Sequence, residues 1–350
     1  MPVVVWHMTD ACNLRCRHCY AAGAEAPVMS RAEARAFLDK MAEAAPPTLL
    51  FSGGEPLAHP AFFELLNYAS TLSLRVSLST NGALIDAPGA RFLKKKGVGY
   101  VGVSLDGPEA VHDAFRGVRG AFGKTLSGIR HLKSAGVRVG LRFTMARPLL
   151  PVIPDVMKIA EELEVDRVCF YHFVPAGRSR FETDLRPTRE ETRTELFRLF
   201  DWVDGGEKTP GEVLTVGNFS DGILLLLRLS ERGDERAETA ASLLERSGGA
   251  RSGQGIVSVR WDGTLFADQF SWSLAPLGRW PDIENLPRPV VGLGKGRLGG
   301  RCGECRWFSL CRGNMRARAA SAGGLWDEDP GCVLSDEEIF GRERSRGGLR

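Results

Sequence analysis

Cys12-Asn13-Leu14-Arg15-Cys16-Arg17-His18-Cys19-Tyr20 follows closely on Val3-Val4-Val5-Trp6, a short apolar run that reads as a buried strand. Three thiols therefore stand in a C-x3-C-x2-C spacing on a loop that a strand delivers. Thiolates are the usual protein ligands of iron–sulfur clusters, and three of them can hold three irons of a four-iron cubane. The fourth iron then stays open to a substrate or cofactor. Zinc competes for such ligands, but its sites usually take paired C-x2-C units from two places, and no second pair lies close by. A disulfide fails on parity.

Outward from this loop the chain alternates strand and helix signals. Ser30 and Glu33 make a capping box for a helix to Ala44, and Thr48-Leu49-Leu50-Phe51 reads as a strand. Helix Pro60 to Leu72, strand Arg75 to Ser79, helix Asp86 to Lys96 and strand Tyr100 to Ser104 follow. Then come a helix near Lys124 to Ala135, strand Arg138 to Met145, helix Ile153 to Leu163 and strand Arg167 to Phe173. About six β–α units with short connections imply an α/β fold with a parallel sheet and right-handed crossovers. Six units are too few for a complete eight-unit barrel, so the expectation is a partial, TIM-like (β/α)6 barrel. Active sites in such folds lie at the carboxyl ends of the strands.

Thr188 and Glu191 cap a further helix to Val203, and the turn-rich stretch from Gly205 to Gly211 marks a joint. Helices are expected at Asp221 to Leu229 and Glu235 to Glu245, and a loop of small residues at Gly248 to Gly255. A hairpin turning on Asp262-Gly263 joins Ile256 to Trp261 with Thr264 to Phe266. Gly292 to Gly300 reads as a flexible loop. The division expected is a first unit of residues 1–208, a smaller second unit of 209–340, and a basic tail, 341–350, that is solvated and frayed.

The 350 residues, 43% apolar and 25% charged, can bury a large core. A formal charge of +3 with scattered Lys and Arg excludes a nucleic-acid reading. The longest apolar run, Ile223 to Leu227, is too short for a membrane span, and no secretory segment precedes Cys12. Eight cysteines without an export signal read as metal ligands in a cytoplasmic protein. Seven of them form two groups. Cys169 stands alone on an inner strand and reads as a small buried hydrophobe. The second group is Cys302-Gly303-Glu304-Cys305, then Cys311 and Cys332, four thiols that suit a closed cluster or tetrahedral zinc.

Several short motifs end strands. In Gly53-Gly54-Glu55-Pro56 the glycines permit close backbone approach, and the carboxylate can pair with an ammonium group. Ser79-Thr80-Asn81-Gly82, Ser104-Leu105-Asp106-Gly107 and His112-Asp113-Ala114-Phe115-Arg116-Gly117 are placed likewise. Together with C-x3-C-x2-C and its following aromatic, these motifs resemble the radical S-adenosylmethionine (SAM) superfamily over nearly the whole chain. The resemblance implies a SAM-binding [4Fe–4S] cluster on Cys12, Cys16 and Cys19, and a SAM amino-group site at Gly53, Gly54 and Glu55. It puts Ser79, Asn81, Ser104 and Asp106 near the ribose and methionine carboxylate, Arg116 as a carboxylate clamp or a surface arginine, and Tyr20 near adenine or in the core. C-x2-C-x5-C after such a core resembles the SPASM and shorter Twitch domains, which implies an auxiliary [4Fe–4S] cluster on Cys302, Cys305, Cys311 and Cys332.

Ser252 to Ile256, Asp268-Gln269-Phe270, Pro276-Leu277-Gly278, Cys311 to Ala319 and Leu325 to Cys332 resemble one subgroup, the enzymes of heme d1 and alternative heme biosynthesis. That implies a radical SAM enzyme that remodels side chains of a didecarboxysiroheme-like tetrapyrrole, with a flavodoxin or ferredoxin as electron donor. Asp268, Gln269 and the Arg316-Ala317-Arg318 stretch are candidates for substrate carboxylates or for ordinary surface roles. The subgroup carries histidines where this chain has Phe219 and, nearby, Phe266, so a different substrate stays open. The alternatives are maturation of a ribosomally made precursor peptide, and a non-catalytic protein stabilised by zinc or a cluster.

Overall fold

A computed structural model describes residues 1–22, 26–205, 211–285 and 295–341. The first half alternates strands and helices: β1 (Val3–His7), α1 (Arg31–Ala44), β2 (Leu49–Ser52), α2 (Phe62–Thr71), β3 (Val76–Thr80), α3 (Ala87–Lys95) and β4 (Val101–Ser104). It continues with α4 (Glu109–Arg116), α5 (Ala121–Ser134), β5 (Val139–Met145), α6 (Ile153–Glu162) and β6 (Arg167–His172). After α7 (Arg189–Asp204) come β7 (Glu212–Val216), α8 (Ser220–Glu231), α9 (Arg236–Ser247), β8 (Ile256–Val259), β9 (Thr264–Phe266) and β10 (Gly278–Arg279). All ten strands share one sheet, in the order β10-β9-β8-β1-β2-β3-β4-β5-β6-β7.

Local chemistry explains the helix boundaries. Ser30 and Glu33 close a capping box on α1, and Thr188 and Glu191 close one on α7. Asp86 caps α3 through Gly89 N. The inner strands bury one apolar face against the helices, while polar residues such as Ser79, Arg142 and Thr144 alternate on the other. Trp6, Phe37, Phe51, Phe62, Phe143 and Phe170 are wholly enclosed between sheet and helices.

The six β–α units and the Asp262-Gly263 hairpin form as the sequence implies, and β8, β9 and β10 pair antiparallel. Two elements go beyond that reading. The region around His112 to Arg116 is a full helix, α4, and β7 adds a seventh strand beside β6, with Arg167 opposite Glu212. On the other side β8 lies parallel to β1, with Val3 opposite Ile256. The chain beyond the Gly205–Gly211 joint thus extends the same sheet at both edges. Residues 206–210 of that joint, 342–350 of the basic tail and part of the glycine-rich loop expected at Gly292 to Gly300 lie outside the described residues.

The end of β2 is pressed against the loop that leaves β1. Gly54 N donates to Thr9 O (2.7 Å) and Glu55 N to Ala11 O (2.8 Å). A Cβ on Gly54 would stand 2.5 Å from the carbonyl oxygens of Asp10 and Ala11, and Gly53 has φ +147°. Only glycine fits both positions. The Glu55 side chain is fully buried and accepts from Thr80 Oγ1 (2.7 Å), Asn81 N (2.8 Å) and Leu57 N (3.2 Å), so it joins the exit of β2 to that of β3.

Burial pushes the Glu55 carboxyl from 4.5 up to about 7, even against these donors. A carboxyl raised in the folded state costs stability as pH climbs from the unfolded value to the folded one. The apo protein is therefore expected to lose about 3 kcal/mol between those two pH values through Glu55 alone. Urea melts across that window should show a loss smaller by that amount in Glu55→Gln; equal slopes would remove the effect. Gly54→Ala should cost at least about 2 kcal/mol in the same assay, because the clash is with backbone and not with a movable side chain.

Candidate active site

The cysteine loop is held by backbone on both sides. Arg15 N and Arg17 N donate to the carbonyls of Arg116 and Phe115 at the end of α4 (2.9 and 3.0 Å). From the other side Arg178 donates through its backbone N to Cys19 O (2.9 Å) and through Nη1 to Cys16 O (2.6 Å). Leu14 anchors the loop by packing with Cys16 and Ala121. Cys12, Cys16 and Cys19 are free thiols; Cys12 is exposed and Cys16 buried. Burial raises the Cys19 thiol. Three neighbouring thiols ionise together only beside a compensating positive centre, which is what a metal cluster provides.

Arg116 and Asp106 form a buried ion pair beside this loop (Nε–Oδ2 2.6 Å), and Arg116 Nη1 lies 3.6 Å from Cys16 Sγ. Arg116 is therefore not a surface arginine; its charge is already matched by Asp106. Burial alone would raise the Asp106 carboxyl, yet the guanidinium outweighs it and holds it below its usual range. Asn81 Nδ2 donates to Asn13 Oδ1 (2.8 Å) and lies 3.9 Å from Cys12 Sγ, which ties the exit of β3 to the loop.

At the carboxyl ends of β3 to β6 a cleft of about 640 Å³ opens. Tyr20, Ser79, Ser104 and Arg116 line it, as do His18, Arg142, Thr144, Tyr171, His172 and, from the segment after β9, Gln269 and Phe270. Gly53, Gly54 and Glu55 stand at the exit of β2 against the cysteine loop, Asn81 stands at the exit of β3 beside Cys12, and Asp106 stands beside Arg116. Tyr20 meets His7, Phe270 and Trp272 edge-on at 5.8, 5.1 and 6.0 Å, so it belongs to both the cleft and an aromatic cluster. His172 pairs with Asp221 (Nε2–Oδ2 2.7 Å) at the start of α8.

Sequence reasoning missed Arg142, Tyr171 and His172. The signal was present in β5, where Leu141, Phe143 and Met145 are buried and Arg142 and Thr144 alternate with them. Cys169, on β6, is buried as expected.

The second cysteine group also converges. Cys302, Cys305, Cys311 and Cys332 line one cavity of about 420 Å³, with Ser220 and Asn314 among its other walls. Burial raises the thiols of Cys302, Cys311 and Cys332. Among the described residues, no three His, Cys, Asp or Glu side chains close tightly enough to hold a single metal ion.

Asp329 organises the cavity's edge: it accepts from Met315 N (2.9 Å), Gly331 N (2.8 Å) and Arg318 (2.7 and 2.8 Å). Arg316 donates to the carbonyls of Asp327 (2.7 Å), Leu325 (3.1 Å) and Gly313. Both arginines are buried and engaged in the fold, which corrects their reading as ordinary surface residues. Asp268 is likewise engaged, accepting from Phe270 N (2.9 Å) and Ser271 Oγ (2.8 Å). Phe219 packs against the apolar core around the cysteine cavity, and Phe266 is buried with Arg260 over its ring at 5.3 Å.

Comparison with known proteins agrees with this arrangement. The profile of the Radical SAM superfamily matches residues 6–163. The chain is 39% identical over 97% of its length to Fe-coproporphyrin III synthase of Methanosarcina barkeri, covering 89% of that protein. It is 34% identical over 96% of its length to pre-heme d1 synthase of Dinoroseobacter shibae, covering 87% of it. In fold it resembles Streptococcus suis SuiB solved with S-adenosylmethionine, with a TM-score of 0.73 at 16% identity, over 95% of this chain and 77% of that one. An α/β sheet with its cysteine loop on β1, and near full-length identity to these two enzymes, identify the chain as a member of the radical SAM superfamily, in its heme-biosynthesis subgroup.

Proposed function

We propose that this radical SAM enzyme remodels side chains of a modified, didecarboxysiroheme-like tetrapyrrole in heme or heme d1 biosynthesis. The observation that carries the reading is identity along nearly the whole chain to two enzymes named for tetrapyrrole products. A peptide-maturing role has weaker support: a relative named as a mycofactocin maturase is 27% identical over 97% of this chain.

Cys12, Cys16 and Cys19 would hold three irons of a [4Fe–4S] cluster and leave one for the amino and carboxylate groups of SAM. Cluster and SAM together supply, when bound, one-electron cleavage of SAM to methionine and a 5′-deoxyadenosyl radical that takes hydrogen from an unactivated carbon. The protein's own part is to position and to shield. Ser79 and Ser104 offer hydroxyls to the cleft, and Tyr20 offers an aromatic face beside the loop. Arg116, fixed by Asp106, sets a guanidinium 3.6 Å from Cys16 Sγ. Asn81, Glu55 and the Gly53-Gly54 turn hold the cysteine loop in place. Phe270 and Trp272 cover Tyr20 and keep water from that side of the cleft.

Cys302, Cys305, Cys311 and Cys332 would hold an auxiliary [4Fe–4S] cluster. The support is that all four cysteines line one cavity. A small flavodoxin or ferredoxin would supply electrons, and the reaction would run in the cytoplasm. Among the described residues no helix is long and apolar enough to cross a membrane.

The test is anaerobic reconstitution followed by a 5′-deoxyadenosine assay, with and without didecarboxysiroheme. Strong stimulation with a mass change in the tetrapyrrole is expected. Basal cleavage that didecarboxysiroheme leaves unchanged would overturn the tetrapyrrole reading. Cys16→Ala should abolish SAM cleavage, whereas Cys305→Ala should keep uncoupled cleavage and lose tetrapyrrole conversion. Equal and total loss in both variants would refute separate roles for the two cysteine groups.

A further inference from the structure

Arg142 is the polar centre of an otherwise apolar strand, and it faces the cleft from β5. The neighbouring strand is shaped to admit it. A Cβ on Gly102 of β4 would collide with Nε and Cζ of Arg142. Glycine in a strand interior weakens the strand, so one kept there marks a required close approach. Next to it in register stands Gly140, where a Cβ would collide with the Tyr100 hydroxyl. Two glycines side by side thus keep open a slot for one guanidinium and one phenol.

The charge in that slot has no counter-ion. Arg142 Nη1 donates to Ser79 Oγ (2.6 Å), its Cζ lies 5.5 Å from the centre of the Tyr171 ring, and its Nε is buried without an acceptor. The ionisable groups that face it are Tyr171, Tyr100, Cys169 and Tyr20, three phenols raised by burial and a raised thiol, all uncharged at neutral pH. Among the described residues no carboxylate pairs with it. Of the enclosed arginines, Arg116 is matched by Asp106 and Arg318 by Asp329, while Arg316 is held by the carbonyls of Gly313, Leu325 and Asp327; Arg142 has a single hydroxyl and opens on the cleft. A guanidinium taken out of water without an anion is costly, and a fold retains one where a ligand brings the anion.

We propose that Arg142 is the counter-ion for a carboxylate of a molecule bound in this cleft, the planar fork of the guanidinium matching the two carboxylate oxygens. The inference rests on the tetrapyrrole reading for one of two possible sources, a carboxylate arm of the substrate. The other source is the methionine carboxylate of SAM.

Binding measurements on the reconstituted full-length protein decide it, with no turnover needed. The probes are didecarboxysiroheme, its fully methylated ester, and SAM, each titrated against wild type, Arg142→Met and Arg142→Lys. With a substrate carboxylate, Arg142→Met should bind the free acid ~10- to 100-fold more weakly and the ester unchanged, with Arg142→Lys recovering part of the loss. With the SAM carboxylate, the same loss should fall on SAM and spare the tetrapyrrole. Both results support the proposal and name its source. Unchanged affinity for all three probes in both folded variants overturns it. Wild type that binds SAM but no tetrapyrrole would defeat the substrate reading while the SAM arm still judges Arg142. Because Arg142→Met removes an unmatched, half-buried charge, its apo form should melt no lower than wild type; a lower melt in both variants would make Arg142 a structural residue and also overturn the proposal.

Discussion

Two backbone hydrogen bonds, Gly54 N to Thr9 O and Glu55 N to Ala11 O, fix the start of the cysteine loop against the exit of β2. The rest of the site depends on this contact. A loop bearing three close thiols has little apolar surface of its own with which to hold a shape. It is given one by neighbours: the β2 exit on one side, the end of α4 on another, and Arg178 over its carbonyls. Removing side chains from positions 53 and 54 is what lets the first of these neighbours come close enough. The glycines thus let the exit of β2 pack against the backbone of the cysteine loop.

Glu55 and Asp106 both belong to motifs that suggest direct contact with a ligand, and both are fully buried. Glu55 spends its oxygens on β3, and Asp106 spends its charge on Arg116. The cleft itself is lined by hydroxyls, aromatic rings, two imidazoles and the guanidinium groups of Arg116 and Arg142. A cleft so lined is positive and amphipathic, suited to a flat, partly apolar molecule that carries acidic arms.

Much of this was legible in the chain itself. The alternation of apolar runs with capped helices gives the six units, because each signal is local: Ser30 with Glu33, Thr188 with Glu191, Asp86 ahead of α3. The cysteine spacings are local too. What could not be read is what depends on pairs distant in sequence. β7 is short and half exposed, and only its place beside β6 makes it a strand. Arg316 and Arg318 look like a basic surface stretch until Asp329 and the carbonyls of Gly313, Leu325 and Asp327 are seen around them. The emptiness around Arg142 is likewise a fact of three dimensions, although its alternation with Leu141 and Phe143 hinted at an inward face.

The parallel pairing of Val3 with Ile256 has a consequence for how the protein comes into being. During synthesis β1 emerges first, yet its neighbour on the β8 side emerges only after most of the chain has been made. Until then β1 presents an unpaired edge, and Trp261, which accepts Met29 N at its carbonyl, is not yet there to pin the stretch after the cysteine loop. Contacts of such long sequence separation form late and slowly. The nascent thiols therefore spend the longest time of any part of the site in an unfinished setting. A cell that makes this protein is best served by delivering iron and sulfide after release from the ribosome, when both flanks of β1 have closed.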